Sequence, residues 1–139
     1  MSDQVPSCSE PLPLGELTLQ AVAMPTDANV GGDMFGGWLM SMMDLGASVV
    51  ARQRSLGRTA TVACHELKFL KPVYVGDLVA NHARLLREGR TSMRIGVEVW
   101  VRRGIYGEEL KVAEAEFTFV ALDEHARPRP LSVAKRTAG

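Results

Sequence analysis

One carboxylate inside an apolar stretch is the residue of this sequence best placed to do chemistry. Asp44 is the only ionisable residue between Met34 and Ala51, where the chain reads MFGGWLMSMMDLGASVVA. The positions one helical turn away offer no cation, since they are Met40, Ser41, Ala47 and Ser48. A buried carboxylate without a partner is costly, and such groups are frequent in active sites. Asp44 is therefore a candidate catalytic group, unless it only accepts hydrogen bonds from serine or backbone groups at an interface.

A pair of glycines marks the start of the same stretch. Gly36 and Gly37 open a run of helical length, and glycine there lets another group approach the free N–H groups of the first turn. Those N–H groups and the helix dipole would stabilise a developing negative oxygen. The alternative is that the two glycines only relieve crowding where a loop enters the core.

The spacing of these two features limits how they can act together. Asp44 lies seven residues beyond Gly37, which corresponds to about 10 Å along a helix axis. One carboxylate can hardly serve as the base at an oxyanion site that far along its own helix. We therefore expect Asp44 of one subunit to face the helix N-terminus of another, with two equivalent sites in a two-fold dimer.

The elements that hold these groups follow from the hydrophobic periodicity. The stretch 36–54 is apolar all the way round, which predicts a long buried helix, and Gly57 supplies a stop signal. The preceding residues, PTDANVGGD at 25–33, indicate a loop. Strands are predicted where the period changes to two, at 16–24, 60–70, 77–87, 91–103 and 109–122.

The later strands also predict how the sheet is covered. Apolar residues alternate through 91–103 and 109–122, which is typical of an antiparallel sheet with one covered face. We predict an α+β fold, an antiparallel sheet wrapped around one long buried helix. One helix cannot cover both faces, so the other face or an edge should meet a second subunit. The domain should span 15–130, between a flexible N-terminal tail at 1–14 and a C-terminal tail at 131–139.

Composition narrows the classes of function. The 139 residues include 16 basic and 16 acidic side chains, so no overall charge attracts nucleic acid or an anionic membrane. The run 34–51 has about the minimum length of a membrane span, but its central carboxylate argues against one. Cys8 and Cys64 lack metal-binding spacing and favour free thiols, and the polar start 1–14 is unlike a signal peptide. We expect a cytoplasmic protein.

A long motif carries a resemblance to a known family. Residues 25–47, PTDANVGGDMFGGWLMSMMDLGA, resemble the hotdog-fold acyl-CoA thioesterases, and within them the YciA-like acyl-CoA hydrolases. The likeness continues through FLKPVYVGD at 69–77, GRTSM at 89–93, VEVWV at 97–101 and AEFTFVALD at 115–123. The resemblance implies a single hotdog domain and hydrolysis of acyl-CoA to a free fatty acid and coenzyme A.

The resemblance also implies residue roles and an assembly. The family's catalytic aspartate matches Asp44, and its loop asparagine, which would help orient water or substrate, matches Asn29. Its Gly-Gly helix start matches Gly36 and Gly37, whose amides would lie near the thioester oxygen. It implies no metal and no cofactor beyond the coenzyme A of the substrate. It also implies a homodimer, as a dimer alone or as a trimer of dimers.

Coenzyme A carries several phosphate groups, so basic residues should line the mouth of its tunnel. The candidates are Arg58, Lys68, Lys71, Arg90, Arg102 and Arg103, with Thr91 and Ser92 as hydroxyl or backbone donors. For any one of these residues, a solvated surface position is the more common role. The histidines His65, His82 and His125 lie outside the helix and are interpreted as surface or strand-face residues.

The residues alone leave three functions open. A thioesterase would use Asp44 as a general base on water or as a nucleophile through a mixed anhydride. A hydratase acting on thioesters usually calls for a histidine near the helix, and residues 16–64 contain none. A non-catalytic protein that binds acyl-CoA has no use for an unpaired carboxylate inside the helix.

Overall fold

The computed structural model describes residues 12–104 and 107–131, which contain five strands and one long helix. In chain order these are β1 (Glu16–Val22), α1 (Gly36–Ser55), β2 (Thr59–Phe69), β3 (Leu78–Glu88), β4 (Ser92–Arg103) and β5 (Glu108–Ala121). Each predicted element is confirmed, with boundaries within two residues of those expected. Most of the two predicted tails, including Cys8, lies outside the described residues.

The strands form one sheet in the order β1-β3-β4-β5-β2, and every neighbouring pair is antiparallel. β1 and β2 are therefore the two edges. The helix packs against one face of the sheet, which confirms the predicted α+β architecture. The core side of the sheet carries the alternating apolar residues of the two central strands, among them Met93, Ile95, Val99, Phe117 and Phe119.

The helix buries only part of its apolar surface within one chain. Met43, Ala47 and Ala51 are fully buried against the sheet. Met40 shares their side of the helix but lies nearer its start and is 39% exposed, whereas Leu45 on the opposite side is 59% exposed. The all-round apolar pattern thus describes two surfaces, one packed on the sheet and one left for other contacts. No helix in the described ranges is long and apolar enough to cross a membrane.

The end of the helix differs from the prediction in one detail. The left-handed residue that terminates α1 is Leu56, with φ 54°, and its N–H donates to Arg52 O at 2.7 Å. Gly57, the predicted stop signal, directly follows this residue, and a Cβ there would lie 2.5 Å from Nη2 of Arg129. The helix therefore ends beside the predicted stop signal, and the glycine also leaves room for the end of that arginine side chain.

Candidate active site

Asp44 lies in the third turn of α1 and faces the neighbouring edge strand. Its carboxylate is partly buried, and Oδ1 accepts a hydrogen bond from the hydroxyl of Thr61 in β2 at 2.6 Å. Among residues 12–104 and 107–131 it forms no ion pair. The partner is a hydroxyl from a strand and not a serine of the helix.

The charge of Asp44 reaches a second side chain of β2. Cys64 is a free, exposed thiol. Its pKa is raised by partial burial and, to a smaller extent, by the negative charge of Asp44. A thiol with a raised pKa stays protonated near neutral pH and is a weak nucleophile. The influence of its charge places Asp44 close to Cys64, in the same strand as Thr61.

The start of α1 presents backbone donors that no side chain covers. The N-cap residue, Phe35, forms no side-chain capping hydrogen bond. Trp38 N–H donates to Phe35 O at 3.1 Å, but the amides of Gly36 and Gly37 bond no acceptor within the described residues. A Cβ on Gly37 would meet nothing within 4 Å, and one on Gly36 would lie 3.3 Å from the ring of Phe69. These two amides are therefore accessible to a negative oxygen.

Asn29 forms a turn in the loop that precedes α1. Its Oδ1 accepts a hydrogen bond from Gly31 N–H at 2.9 Å, and its own N–H donates to Asp33 O at 2.8 Å. The first of these is an Asx turn, which fixes the orientation of the side-chain amide. In the part of the chain that the structure describes, Nδ2 has no protein acceptor. Turn former and site residue are therefore compatible roles for this asparagine.

A cavity of about 300 Å³ opens beside the start of the helix. It is lined by residues before and within α1 and by the segment after β2, namely Asp33, Met34, Gly36, Leu39, Phe69, Leu70, Lys71, Pro72 and Val73. Backbone contacts join the two walls, since Met34 N–H donates to Val73 O at 2.7 Å and Asp33 forms a bridge with Tyr74. The cavity is large enough for a small ligand.

An ion pair between distant residues braces the outer wall of this cavity. Asp77 is buried, and its carboxylate accepts hydrogen bonds from Arg103 Nε at 3.0 Å and Nη2 at 2.8 Å. Arg103 also donates to Pro72 O at 3.0 Å and lies over the ring of Tyr74, 4.9 Å from its centroid. The hydrogen bonds to Asp77 raise the pKa of Arg103 despite partial desolvation. Arg103 was predicted to contact a phosphate group of coenzyme A. Within one chain it instead bonds Asp77 and the backbone of Pro72 in the segment that follows β2.

One chain does not bring Asp44 and the glycine amides together. Asp44 does not line the cavity, and its seven-residue separation from Gly37 along one continuous helix corresponds to about 10 Å. Its hydroxyl partner, Thr61, precedes Phe69 of the cavity wall by eight residues in the same strand. Within one chain, Asp44 and the glycine amides therefore lie at different positions along the helix axis and cannot act on the same atom.

The predicted coenzyme A contacts also divide into two groups. Where β2 begins and β5 ends, the structure gathers Arg58, Arg90, Thr91 and Ser92. Toward the other end of the sheet lie Lys68, Lys71, Arg102 and Arg103. Arg102 is already paired with Glu109 at 2.7 Å, and of all these candidates only Lys71 lines the cavity. No single surface of one chain collects them.

The three histidines stand apart from the carboxylate and the glycines. His65 shares a hydrogen bond with the hydroxyl of Thr118 at 3.0 Å, and His82 contacts Gly15 O at 3.4 Å. His125 is exposed. Within the described residues, no group of three or more His, Cys, Asp or Glu side chains is arranged to hold a metal ion. The interpretation of the histidines as surface or strand-face residues is confirmed.

Thr61 is the residue of this region that sequence reasoning missed. It lies 17 residues after Asp44, and no spacing rule connects a helix residue to a hydroxyl in the next strand. The only available signal was its place in the strand that directly follows the helix. The pairing of Asp77 with Arg103 was missed for the same reason, because the two residues are 26 positions apart and meet only in the folded chain.

Comparison with known proteins shows which family this chain is similar to. Residues 31–107 match the model of the thioesterase superfamily. The acyl-CoA thioester hydrolase YciA of Salmonella typhimurium is 47% identical over 124 residues, which cover 87% of this chain and 93% of that protein. The hexameric thioesterase y2039 from Yersinia pestis superposes with a TM-score of 0.84 at 46% identity, over 87% of this chain and 99% of that one. An aspartate-to-alanine mutant of HI0827, a hexameric broad specificity acyl-coenzyme A thioesterase, gives a TM-score of 0.83 at 43% identity, over 86% and 88% of the two chains.

Proposed function

The chain belongs to the thioesterase superfamily, and from that premise we propose that it hydrolyses acyl-coenzyme A thioesters to a free fatty acid and coenzyme A. The observation that carries the proposal is the setting of Asp44. This carboxylate is partly buried in an apolar helix, and its protein partner among the described residues is a neutral hydroxyl. Such a group keeps its charge available for a reacting molecule. The related YciA and HI0827 carry the same class of activity in their names.

The chemistry needs an activated water molecule and a site for an oxyanion. Water oxygen bonds to the thioester carbonyl carbon, and the C–S bond then breaks. The leaving thiolate needs little help, because a free thiol has a pKa near ~8.5. Asp44 takes the proton from water as a general base, or it attacks the carbonyl and forms an anhydride that water then hydrolyses. The amides of Gly36 and Gly37 stabilise the negative oxygen, and Nδ2 of Asn29 orients the water or the substrate.

A second copy of the chain supplies the missing half of the site in this proposal. β2 is an edge strand of 11 residues, with Val62 57% exposed, and it contacts α1 through the hydrogen bond between Thr61 and Asp44. An unpaired edge of this kind is a template for another chain. Antiparallel pairing of two β2 strands would set the Thr61 region of one subunit beside the Phe69 region of the other. Asp44 would then approach Gly36 and Gly37 of the partner subunit.

The same pairing would unite the two groups of basic residues. Arg58, Arg90, Thr91 and Ser92 of one subunit would lie near Lys71, Arg102 and Arg103 at the opposite end of the other, and together they would meet the phosphates of coenzyme A. The hexameric neighbours y2039 and HI0827 support a trimer of such dimers. The proposal includes no cofactor beyond the substrate's own coenzyme A. It also includes a cytoplasmic location, with which the free thiol of Cys64 is compatible.

A thiol-release assay with acetyl-, butyryl- and long-chain acyl-coenzyme A tests the proposal. We expect turnover by the wild-type chain and a loss of about 100- to 10,000-fold in kcat for Asp44→Asn and Asp44→Ala, with the oligomer intact. Glu16→Gln is the control, because it removes one negative charge from an exposed side chain of β1, the sheet edge opposite β2. Turnover by Asp44→Ala close to that of the wild type would end the assignment.

Oxygen-18 water separates the two roles open to the carboxylate. Under single turnover, general-base attack places the label in the fatty acid alone. Attack through an anhydride places label in the carboxylate of Asp44 when water adds to the aspartyl carbonyl. Label found by mass spectrometry in the peptide that contains residue 44 would rule out pure general-base attack.

A further inference from the structure

A buried ion pair holds the segment between β2 and β3. Asp77 is 3% exposed, and its two carboxylate oxygens lie 3.0 Å from Nε and 2.8 Å from Nη2 of Arg103. The same carboxylate accepts from Tyr74 N–H at 2.9 Å, while Arg103 donates to Pro72 O and lies over the ring of Tyr74. Because the pair is buried and bidentate, it fixes residues 72–77 more firmly than a surface ion pair would.

This segment is bonded in turn to the loop that precedes α1. Met34 N–H donates to Val73 O at 2.7 Å, and Asp33 forms an antiparallel bridge with Tyr74. A short antiparallel ladder therefore joins the segment held by the ion pair to the residues directly before the helix.

The loop side of this ladder carries Asn29. Val75 N–H donates to Gly32 O at 3.3 Å, and Gly32 N–H donates to Asn29 O at 3.0 Å. Asn29 N–H donates to Asp33 O at 2.8 Å. After the ion pair, each step from Asp77 to Asn29 is a backbone hydrogen bond, so a shift of the segment is passed on to the asparagine.

From these contacts we propose that Asp77 and Arg103 are positioning residues for Asn29, and that they act through the ladder between the two loops. This role rests on the proposed thioesterase function, in which Nδ2 of Asn29 orients the water or the substrate. Asp77 acts in it without touching the reacting atoms. A displacement of about 1 Å at a group that orients a reactant can lower a rate by about 100-fold. A loosened segment should therefore reduce turnover while substrate still binds.

Two substitutions weaken the pair in different ways. Asp77→Asn removes the negative charge but keeps an oxygen that can accept from Tyr74 N–H, and Arg103→Lys keeps the positive charge but loses the guanidinium fork. We expect each to lower kcat by about 10- to 50-fold, as for the loss of a hydrogen bond to a charged group. The KM should change less than about threefold. A residue that only contacts a phosphate would instead leave kcat unchanged in Arg103→Lys, because the charge is retained.

Glu116→Gln is the matched control. It breaks the ion pair with Arg94, which joins β5 to β4 and lies outside the two loops, so it should leave kcat unchanged. Rates are measured per folded oligomer, at a temperature below the unfolding transition of every variant. A loss of stability alone then does not lower kcat.

A double variant shows whether the effect passes through the asparagine. In an Asn29→Ala background, adding Asp77→Asn should lower kcat by less than about threefold, because the group that the pair positions is gone. Wild-type kcat in Asp77→Asn and Arg103→Lys, or the same loss with and without Asn29, overturns the inference. If Asp77→Asn does not assemble, Arg103→Lys is compared in the two backgrounds in its place. Absence of thioester turnover in the wild type would instead overturn the proposed function, so the two failures are distinguishable.

Discussion

Gly46 of α1 lies directly against Asn81 of β3, so closely that a Cβ on the glycine would be 1.9 Å from Nδ2 of the asparagine. Asn81 is fully buried, and Nδ2 donates to the hydroxyl of Thr18 at 3.1 Å. The missing side chain at position 46 therefore sets how deeply the helix sits on the sheet. Because Asp44 is two residues away on the same helix, this contact also helps to set the position of the carboxylate relative to β2.

Substitution of this glycine should be costly for the fold. We expect Gly46→Ala to destabilise the chain by about 1–3 kcal/mol, because the added methyl group overpacks a core contact and pushes the helix outward. Thermal unfolding at fixed protein concentration measures this. Gly37→Ala is the matched control for stability, since a Cβ there meets nothing within 4 Å. An unfolding temperature of Gly46→Ala at or above that of Gly37→Ala would contradict the prediction.

Two substitutions separate the acceptor and the donor of the Asn29 side chain. Asn29→Asp keeps an oxygen that accepts from Gly31 N–H and loses the Nδ2 donor, whereas Asn29→Ala loses both. We expect both variants to lower kcat by about 10- to 100-fold, less than Asp44→Ala, because each lacks the outward donor. Only Asn29→Ala should also lower the unfolding temperature. Full activity in Asn29→Asp would show that the turn alone matters.

The rate at which the Cys64 thiol is alkylated should depend on the charge of Asp44. Its pKa is raised by partial burial and by that neighbouring carboxylate, so alkylation at pH 8 should be slower than for an unperturbed thiol. In a Cys8→Ser background, Asp44→Asn should lower the pKa of Cys64 and speed its reaction with iodoacetamide. Glu124→Gln should not change the rate. An unchanged rate in Asp44→Asn would mean that the carboxylate does not act on this thiol.

Glu98 should contribute to the dependence of stability on pH. Burial alone would raise its pKa, but hydrogen bonds from Trp100 Nε1 and Leu14 N–H, and the charge of Lys111, outweigh burial and lower it. A lowered folded-state pKa gives stability that is complete above the unfolded pKa, near 4.5, and is lost as pH falls through the folded value. Between pH 5 and 3, about the range of carboxylate titration, wild-type unfolding free energy should fall more steeply than that of Glu98→Gln. Urea unfolding of both proteins at several pH values measures this. An equal pH dependence of the two unfolding free energies in that range would contradict the prediction.

The sequence predicted the elements well because their signals are local. Period-two alternation in 91–103 and the apolar run from Gly36 each depend on residues a few positions apart, and their burial follows directly. The contacts that complete the site are not local. No pattern near Asp44 indicates that Thr61 will meet it, since that pairing depends on the sheet order and on a bulge after Thr61. The same holds for Asn81 beneath Gly46, which requires the packing of helix on sheet to be known.

The loop after β5 returns to the end of the helix through one arginine. Arg129 Nη2 donates to Ser55 O at 3.0 Å and Nε donates to Leu122 O at 2.9 Å, so the guanidinium satisfies a carbonyl at the C-terminus of α1. Arg129→Ala should destabilise the chain by about 1–3 kcal/mol, because both carbonyls lose their donor. Arg129→Lys, with a single ammonium group, should recover part of this.

Gly57 provides the cross-check on this contact. A Cβ at position 57 would lie 2.5 Å from Nη2 of Arg129, the end of a flexible side chain, so Gly57→Ala should displace the guanidinium and cost no more than Arg129→Ala. Since both changes break the same contact, the double variant should be less destabilised than the sum of the two single variants. Thermal unfolding of the wild type, the two single variants and the double variant at one protein concentration measures this coupling. Strict additivity would mean that Gly57→Ala does not act by displacing the guanidinium of Arg129.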